Sequence, residues 1–176
     1  VVIADQAVKW LVLDYFSTRA DPVEVTSFFN LVLAWNRGVS FSLFHSDQPY
    51  APFALSALAV AVSAALAMWL YRIEQRWPAT GVGLVIGGAV GNVVDRLRFG
   101  AVVDFLDFHW GEHHWPAFNV ADSAITIGVI FLVTDGLFRR SEGSRKNTAH
   151  LLLGWLVVAR MIRQVFVLPV GAAVGG

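Results

Sequence analysis

Residues 51–71 read APFALSALAVAVSAALAMWLY, a run of 21 residues without a charged side chain. An α-helix rises about 1.5 Å per residue, so a helix of this length crosses the roughly 30 Å hydrocarbon core of a bilayer. Residues 77–94, WPATGVGLVIGGAVGNVV, form a second uncharged run that is rich in glycine. A third apolar run covers 119–138, with Asp122 and Asp135 near its ends. The sequence therefore predicts a helical membrane protein.

The composition agrees with this prediction. Apolar residues make up 56% of the chain and charged residues only 15%, whereas soluble domains carry about a quarter charged residues. The mean hydropathy is +0.59. Because 13 Lys+Arg balance 13 Asp+Glu, we expect no nucleic-acid partner. The absence of cysteine excludes disulfides, iron–sulfur clusters and thiolate sites.

The N-terminal segment, residues 1–13, is apolar apart from three polar side chains. We interpret it as the second half of a first span, truncated at its N-terminus. This interpretation predicts a four-span core over residues 1–140 and a tail of unknown role over residues 141–176. Two arginines interrupt the apolar part of the tail, which favours a helix on the inner surface or a poorly ordered tail over a fifth span.

Loop charges predict the orientation of the spans. The short segments 72–79 and 139–150 are rich in basic residues, whereas the longer segments 14–50 and 97–118 contain three arginines between them. The positive-inside rule therefore places both termini in the cytoplasm and the two long loops outside.

The first long loop contains a pattern typical of β-structure. Apolar residues alternate over 29–35 and again over 39–43, and Asn36-Arg37-Gly38 between them forms a turn sequence. This pattern predicts two short paired strands. The predicted fold class is an all-α membrane protein with four transmembrane helices and a short antiparallel sheet in the first outer loop.

Polar side chains within the apolar runs are the candidate functional residues, because they are costly at membrane depth. Asn92, Asp95 and Arg96 have i, i+3, i+4 spacing and share one helical face. They form either a structural Asp–Arg pair at the end of the span or, for Asn92 and Arg96, a polar cavity that binds a substrate backbone or headgroup.

Two acids lie on opposite sides of the second long loop. Asp104 has apolar neighbours, and Asp122 shares a helical face with Asn119. Two carboxylates brought together cannot easily both ionise, so such a pair can hold a water, deprotonate it and protonate a leaving group. The alternative is that Asp122 only favours a helix start and that Asp104 is a solvated loop acid.

Other constellations allow further interpretations. Asp5 and Lys9, at i, i+4, form either a helix-stabilising ion pair or, with Lys9 as a base for Ser40 or Ser42, a Ser–Lys dyad. The histidines of the second long loop are either interfacial polar residues or a zinc site. They are His109, His113 and His114.

The polar motifs, taken in order, resemble those of the lipoprotein signal peptidase family, also called signal peptidase II. The matching residues are Asp5-Gln6-x-x-Lys9, Asn36-Arg37-Gly38-Val39-Ser40-Phe41, Gly87-Gly88-x-x-Gly91-Asn92-x-x-Asp95-Arg96, Val103-Asp104-Phe105 and Trp115-Pro116-Ala117-Phe118-Asn119-Val120-Ala121-Asp122. One such motif is weak, but five in the same order are specific. The resemblance covers residues 1 to about 140.

This resemblance implies a four-span aspartic endopeptidase of the bacterial inner membrane, with its active site at the periplasmic face. Such enzymes cut signal peptides from prolipoproteins just before a diacylglyceryl-modified cysteine. Implied partners are this substrate, membrane lipid and globomycin-type inhibitors; no cofactor or metal is expected, and we expect a monomer. The implied catalytic pair is Asp104 and Asp122, the implied substrate-site residues are Asn36, Gly38, Asn92, Arg96 and Asn119, and the implied supporting residues are Asp5, Lys9, Asp95 and Ala121.

Two other classes of protein remain as alternatives. A small polytopic proton-coupled transporter would also carry intramembrane acids, amides and arginine, although it would usually need more spans, often in related halves. A non-enzymatic scaffold would not need two acids and an asparagine at one depth.

Overall fold

The computed structural model of the protein describes residues 1–38 and 50–139. Within these ranges the helices are α1 (Val2–Phe16), α2 (Ala51–Leu70), α3 (Arg76–Phe99) and α4 (Val120–Arg139). The strands are β1 (Val23–Thr26), β2 (Phe29–Asn36), β3 (Val102–Trp110) and β4 (His113–His114). The predicted second strand at 39–43 and the predicted tail at 141–176 lie outside the described residues.

Three of the described helices are long and apolar enough to cross a membrane. They are Ala51–Leu70, Arg76–Phe99 and Val120–Leu137, with hydropathies of 2.1, 1.3 and 1.7. These helices coincide with the three predicted apolar spans and confirm a largely helical membrane protein. Helix α1 has 15 residues and is not among them.

The four strands form one antiparallel sheet in the order β1-β2-β3-β4. It is larger than predicted, because β3 comes from the second long loop, for which no strand was predicted. Its partner β2 comes from the first long loop, and Asn36 pairs with Val102 while Ala34 pairs with Asp104. The four residues Val102–Phe105 are all buried, so no apolar–polar alternation marked this strand in the sequence.

Glycines bring α3 and α4 into close contact. A side chain on Gly81 would meet the carbonyl oxygen of Gly128 at 2.9 Å, and one on Gly88 would clash with the carbonyl of Ala121. Small residues therefore let the two backbones approach each other, as the glycine-rich run predicted. Around them, Val82, Val85, Ile125 and Leu132 form the buried apolar core.

We expect Gly88→Ala to lower the free energy of unfolding by about 1–3 kcal/mol, since the new methyl group forces α3 away from α4. Chemical unfolding in detergent measures this change. Gly83→Ala is the matched control, because nothing lies within 4 Å of its Cβ position on the same helix. It should be neutral or stabilising by up to about 1 kcal/mol. Equal effects of the two substitutions would contradict the close-packing interpretation.

Candidate active site

Asp122 is held at the first turn of α4 by a reciprocal capping arrangement. Its backbone N–H donates to Asn119 Oδ1 at 2.9 Å, and the backbone N–H of Asn119 donates to Asp122 Oδ2 at 3.3 Å. This is a capping box, in which the residue before the helix and the third helical residue satisfy each other's N–H groups. The carboxylate of Asp122 therefore points back toward the start of the helix.

Asp104 lies next to this helix start, within strand β3. The Nδ2 group of Asn119 donates to Asp104 Oδ1 at 2.7 Å, so Asn119 contacts both acids. Asp104 is only 2% exposed, so the alternative of a solvated loop acid is wrong. In the sheet, Asp104 pairs with Ala34 of β2, two residues before the end of that strand at Asn36.

Asn36, at the end of β2, supplies a second donor to Asp104. Its Nδ2 group donates to Asp104 Oδ2 at 3.0 Å, while its Oδ1 accepts the N–H of Gly38 at 2.9 Å. The Gly38 N–H thereby sets which side of the Asn36 amide faces the acid. Gly38 has φ +100°, a conformation that favours glycine, and a Cβ there would clash with Leu55.

Asn92 performs the same task for Asp122. Its Nδ2 group donates to Asp122 Oδ1 at 2.8 Å, and its Oδ1 accepts a hydrogen bond from Lys9 Nζ at 3.2 Å. Each of the two acids therefore receives two N–H donors, which are two side-chain amides for Asp104 and one side-chain amide with one backbone N–H for Asp122. Buried carboxylates need such partners, because an unsatisfied buried charge is costly.

Next to the two acids, a buried ionic cluster connects α1 with α3. Lys9 Nζ lies 2.9 Å from Asp5 Oδ2 and 2.8 Å from Asp95 Oδ2. All three residues are at most 2% exposed. The predicted i, i+4 ion pair between Asp5 and Lys9 is therefore present, and Asp95 extends it. Ser40 and Ser42, the suggested partners of a Lys9 base, lie outside the described residues.

Gln6 is a site residue to which the sequence analysis assigned no role. Its Nε2 group donates to Asp95 Oδ1 at 2.8 Å and also lies 3.3 Å from the carbonyl of Gly91. A polar amide within an otherwise apolar segment was the available signal. Gly91 leaves room for the cluster, since a Cβ there would lie 2.7 Å from Asp5 Oδ2.

Arg96 places a buried positive charge close to Asp104 and Asp122. It is 4% exposed, and its Nε and Nη1 groups have no hydrogen-bond partner among the described residues. Asp122, Asp104 and Asp95 are the acids close enough to its guanidinium to attract it when they are ionised. Two buried donors beside two acids suit a ligand that presents oxygen atoms.

The pKa of Asp104 is raised to about 8, mainly by burial and to a smaller extent by the nearby negative charge of Asp122. The hydrogen bonds from Asn36 and Asn119 favour the charged form and offset part of this increase. Asp104 is therefore mostly protonated at pH 7. A protonated carboxyl beside a second carboxyl can donate a proton while its neighbour accepts one.

The loop histidines form a separate group at the other end of β3. His114 Nδ1 lies 2.9 Å from Asp107 Oδ2, and the rings of His109 and His114 stack with centroids 4.9 Å apart. Within residues 1–38 and 50–139, no three His, Asp or Glu side chains are placed to hold a metal ion. The arrangement therefore gives no support to the zinc alternative.

Comparison with known proteins identifies the family. The family model for signal peptidase (SPase) II matches residues 1–138. The chain is 47% identical to the lipoprotein signal peptidase of Paraburkholderia phytofirmans over 146 residues, which cover 82% of this chain and 84% of that protein. It is 44% identical to the lipoprotein signal peptidase of Aeromonas hydrophila over 148 residues, covering 83% and 87%.

A solved structure supports the same relationship. It is described as a bacterial membrane enzyme at 2.3 Å resolution, and it superposes with a TM-score of 0.67 at 27% identity, covering 83% of this chain and 88% of its own. The protein is thus a membrane protease by family. This chain belongs to the signal peptidase II family, which confirms the resemblance predicted from the motifs. The transporter alternative has no support in these comparisons.

We expect Asn119→Ser to raise the pKa of Asp104 further. Serine still caps α4, but it cannot supply the Nδ2 donor that stabilises the charged carboxylate. Carbon-13 NMR of labelled aspartate, titrated in detergent, measures the pKa.

Asn30→Ser is the matched control for this titration, because Asn30 donates to Asp107 on the same sheet at 3.2 Å. It should leave the pKa of Asp104 unchanged. A pKa of Asp104 that is unchanged or lower in Asn119→Ser would contradict the assigned hydrogen bond.

Proposed function

We propose that this chain is a membrane-embedded aspartic endopeptidase that removes signal peptides from diacylglyceryl-modified prolipoproteins, cutting before the lipidated cysteine. Family membership supports removal of signal peptides from prolipoproteins. The aspartic mechanism rests on one observation, the burial of Asp104 and Asp122 side by side with Asn119 bonded to both.

In the proposed mechanism, the peptide bond lies between the two acids and a water molecule attacks its carbonyl carbon. Asp122 is the ionised member and removes a proton from this water. Its position at the N-terminus of α4 and the hydrogen bonds that it accepts from Asn92 and from the backbone N–H of Asn119 suit the carboxylate form.

Asp104 is the protonated member of the proposed pair. Its proton hydrogen-bonds the carbonyl oxygen and stabilises the negative charge that develops there. The leaving amine then receives the proton that the attacking water lost. Asn92, Arg96 and Asn119 position the substrate backbone, while Asn36 and Gly38 complete the site around Asp104. The position of the two acids is supported by Asp5, Lys9, Asp95 and Ala121.

We propose that the protein lies in the bacterial inner membrane and has four spans, of which α1 is the first. Apart from Asp14 in its last turn, its most exposed side chains are apolar, with Ile3 86% and Trp10 64% exposed, whereas Asp5 and Lys9 are buried. Arg72, between α2 and α3, and Arg76, the first residue of α3, favour a cytoplasmic location for that end. Both termini are then cytoplasmic and the acids lie at the periplasmic face.

The remaining proposals concern partners and organisation. The lipid chains of the substrate enter from the bilayer, a globomycin-type inhibitor competes for the site, and the enzyme acts as a monomer without cofactor. Residues 1–140 form the peptidase core, and residues 141–176 are a separate cytoplasmic tail.

Asp104→Asn and Asp122→Asn should each reduce cleavage roughly 10³-fold or more, because each removes a titratable oxygen while preserving shape. A gel-shift assay with a diacylglyceryl-modified prolipoprotein in detergent measures turnover. Asp107→Asn, on the same strand but bonded to His114, is the matched control and should retain activity. Substrate without lipid and a globomycin lane complete the assay. Normal turnover in either variant of the acid pair would refute the catalytic assignment.

The pH profile should follow the protonation of Asp104. Since its pKa lies at about 8, the proton is present below that pH and is lost as the pH rises through it. We therefore expect kcat/KM to fall on the alkaline side of about pH 8. Initial rates between pH 5 and 10, roughly the range over which such groups titrate, check this. A profile that stays flat through pH 8 would be inconsistent with a protonated Asp104.

A further inference from the structure

Lys9 uses every donor of its ammonium group inside the protein. An ammonium has three N–H bonds. The three acceptors are Asp5 Oδ2 at 2.9 Å, Asp95 Oδ2 at 2.8 Å and Asn92 Oδ1 at 3.2 Å. Lys9 is 2% exposed, so its partners and not solvent determine its position.

The two carboxylates that bind Lys9 each also hold the backbone next to one of the active-site acids. Asp5 Oδ1 accepts the N–H of Ala121, the residue before Asp122, at 2.9 Å. Asp95 Oδ2 accepts the N–H of Val103, the residue before Asp104, at 3.0 Å. One ammonium group therefore connects the backbone segments of both acids, although these segments come from a helix start and a strand.

The third contact of Lys9 controls a side chain. Since Lys9 Nζ is a donor only, the oxygen of the Asn92 amide must face it, and the nitrogen then faces Asp122 Oδ1 at 2.8 Å. The same oxygen also accepts a hydrogen bond from Asn119 Nδ2 at 3.3 Å, so without the ammonium group this contact alone would hold the amide nitrogen toward Asp122.

On the basis of the proposed function, we infer that Lys9 is a positioning residue, which sets the separation of Asp104 and Asp122 through Asp5 and Asp95 and turns the Asn92 amide toward Asp122. A purely stabilising role is a weaker explanation, because buried ion pairs contribute little net stability compared with apolar packing. A displacement of about 1 Å at reacting groups can, by contrast, reduce a rate about 10²-fold.

The inference predicts a specific kinetic pattern for Lys9→Met, which keeps the apolar stem and removes the charge. We expect kcat to fall about 10²-fold while KM changes less than about threefold. The reason is that Lys9 contacts Asp5, Asp95 and Asn92, which hold the two acids in place, and does not contact the substrate. Cleavage of the lipidated prolipoprotein in detergent measures both constants.

The charge of Lys9 predicts a second change, in the pH profile. The charged groups that contact Lys9 or interact with its charge are Asp5 on α1, Asp95 on α3, Asp104 on β3 and Asp122 on α4. Arg96 on α3 interacts with the last three of these acids. The positive charge of Lys9 lowers the pKa of Asp104, so its removal should move the alkaline limb of kcat/KM to higher pH. A merely structural lysine would not move this limb.

Two further variants complete the test. Lys9→Arg retains the charge, so its alkaline limb should stay at the wild-type position while kcat recovers part of the loss. Asp14→Asn, an exposed acid on the same helix, is the matched control and should behave as wild type. Should Lys9→Met fail to fold, Lys9→Met/Asp95→Asn replaces it, because it removes one cation and one anion together and keeps the net charge of the cluster.

The outcomes separate the inference from the proposed function. An inactive, folded wild-type protein would refute the proposed function. An active wild type with both acid variants inactive, but with kcat of Lys9→Met within about threefold of wild type, would refute only the positioning role. A reduced kcat with unchanged KM and a displaced alkaline limb would support it.

Discussion

The buried contact of Lys9 with Asp5 and Asp95 is the interaction on which the rest of the site depends. It lies where α1 meets α3, and its carboxylates reach the first residues of β3 and α4. Charges at this depth are unfavourable unless each has partners. The cluster therefore imposes one arrangement on four elements, since any shift of one element would leave a buried charge unsatisfied.

Asp104 and Asp122 are surrounded by neutral hydrogen-bond donors as well as by positive charge. Asn36, Asn92 and Asn119 each bind a carboxylate oxygen without forming an ion pair with it. An adjacent ammonium or guanidinium in direct contact would keep both acids ionised, whereas amide donors satisfy their oxygens and leave burial free to keep one proton in place. Asparagine thus suits a pair of acids that must differ in protonation.

The close packing of α3 against α4 allows Asn92 on α3 to contact Asp122 on α4. Gly88 faces the Ala121 carbonyl directly beneath the first turn of α4, and Gly91 leaves space for the carboxylate of Asp5. Larger side chains would push the helices apart and separate Asn92 from Asp122. The same glycines would weaken a helix in water, but a membrane helix has all its backbone hydrogen bonds internally satisfied.

The sequence by itself determined the apolar helices, because hydropathy and length depend only on local composition. It also indicated the polar residues that matter, since Asn92, Asp95, Arg96, Asp104 and Asp122 stand out against an apolar background. Only the tertiary structure decided that β3 pairs with β2, that Asp104 is buried, that Asp95 binds Lys9 and that Gln6 joins the cluster. These features arise from contacts between residues that are far apart in the sequence. Asn36 and Asp104 are separated by 68 positions, and Gln6 and Asp95 by 89. Local periodicity carries no information on such contacts.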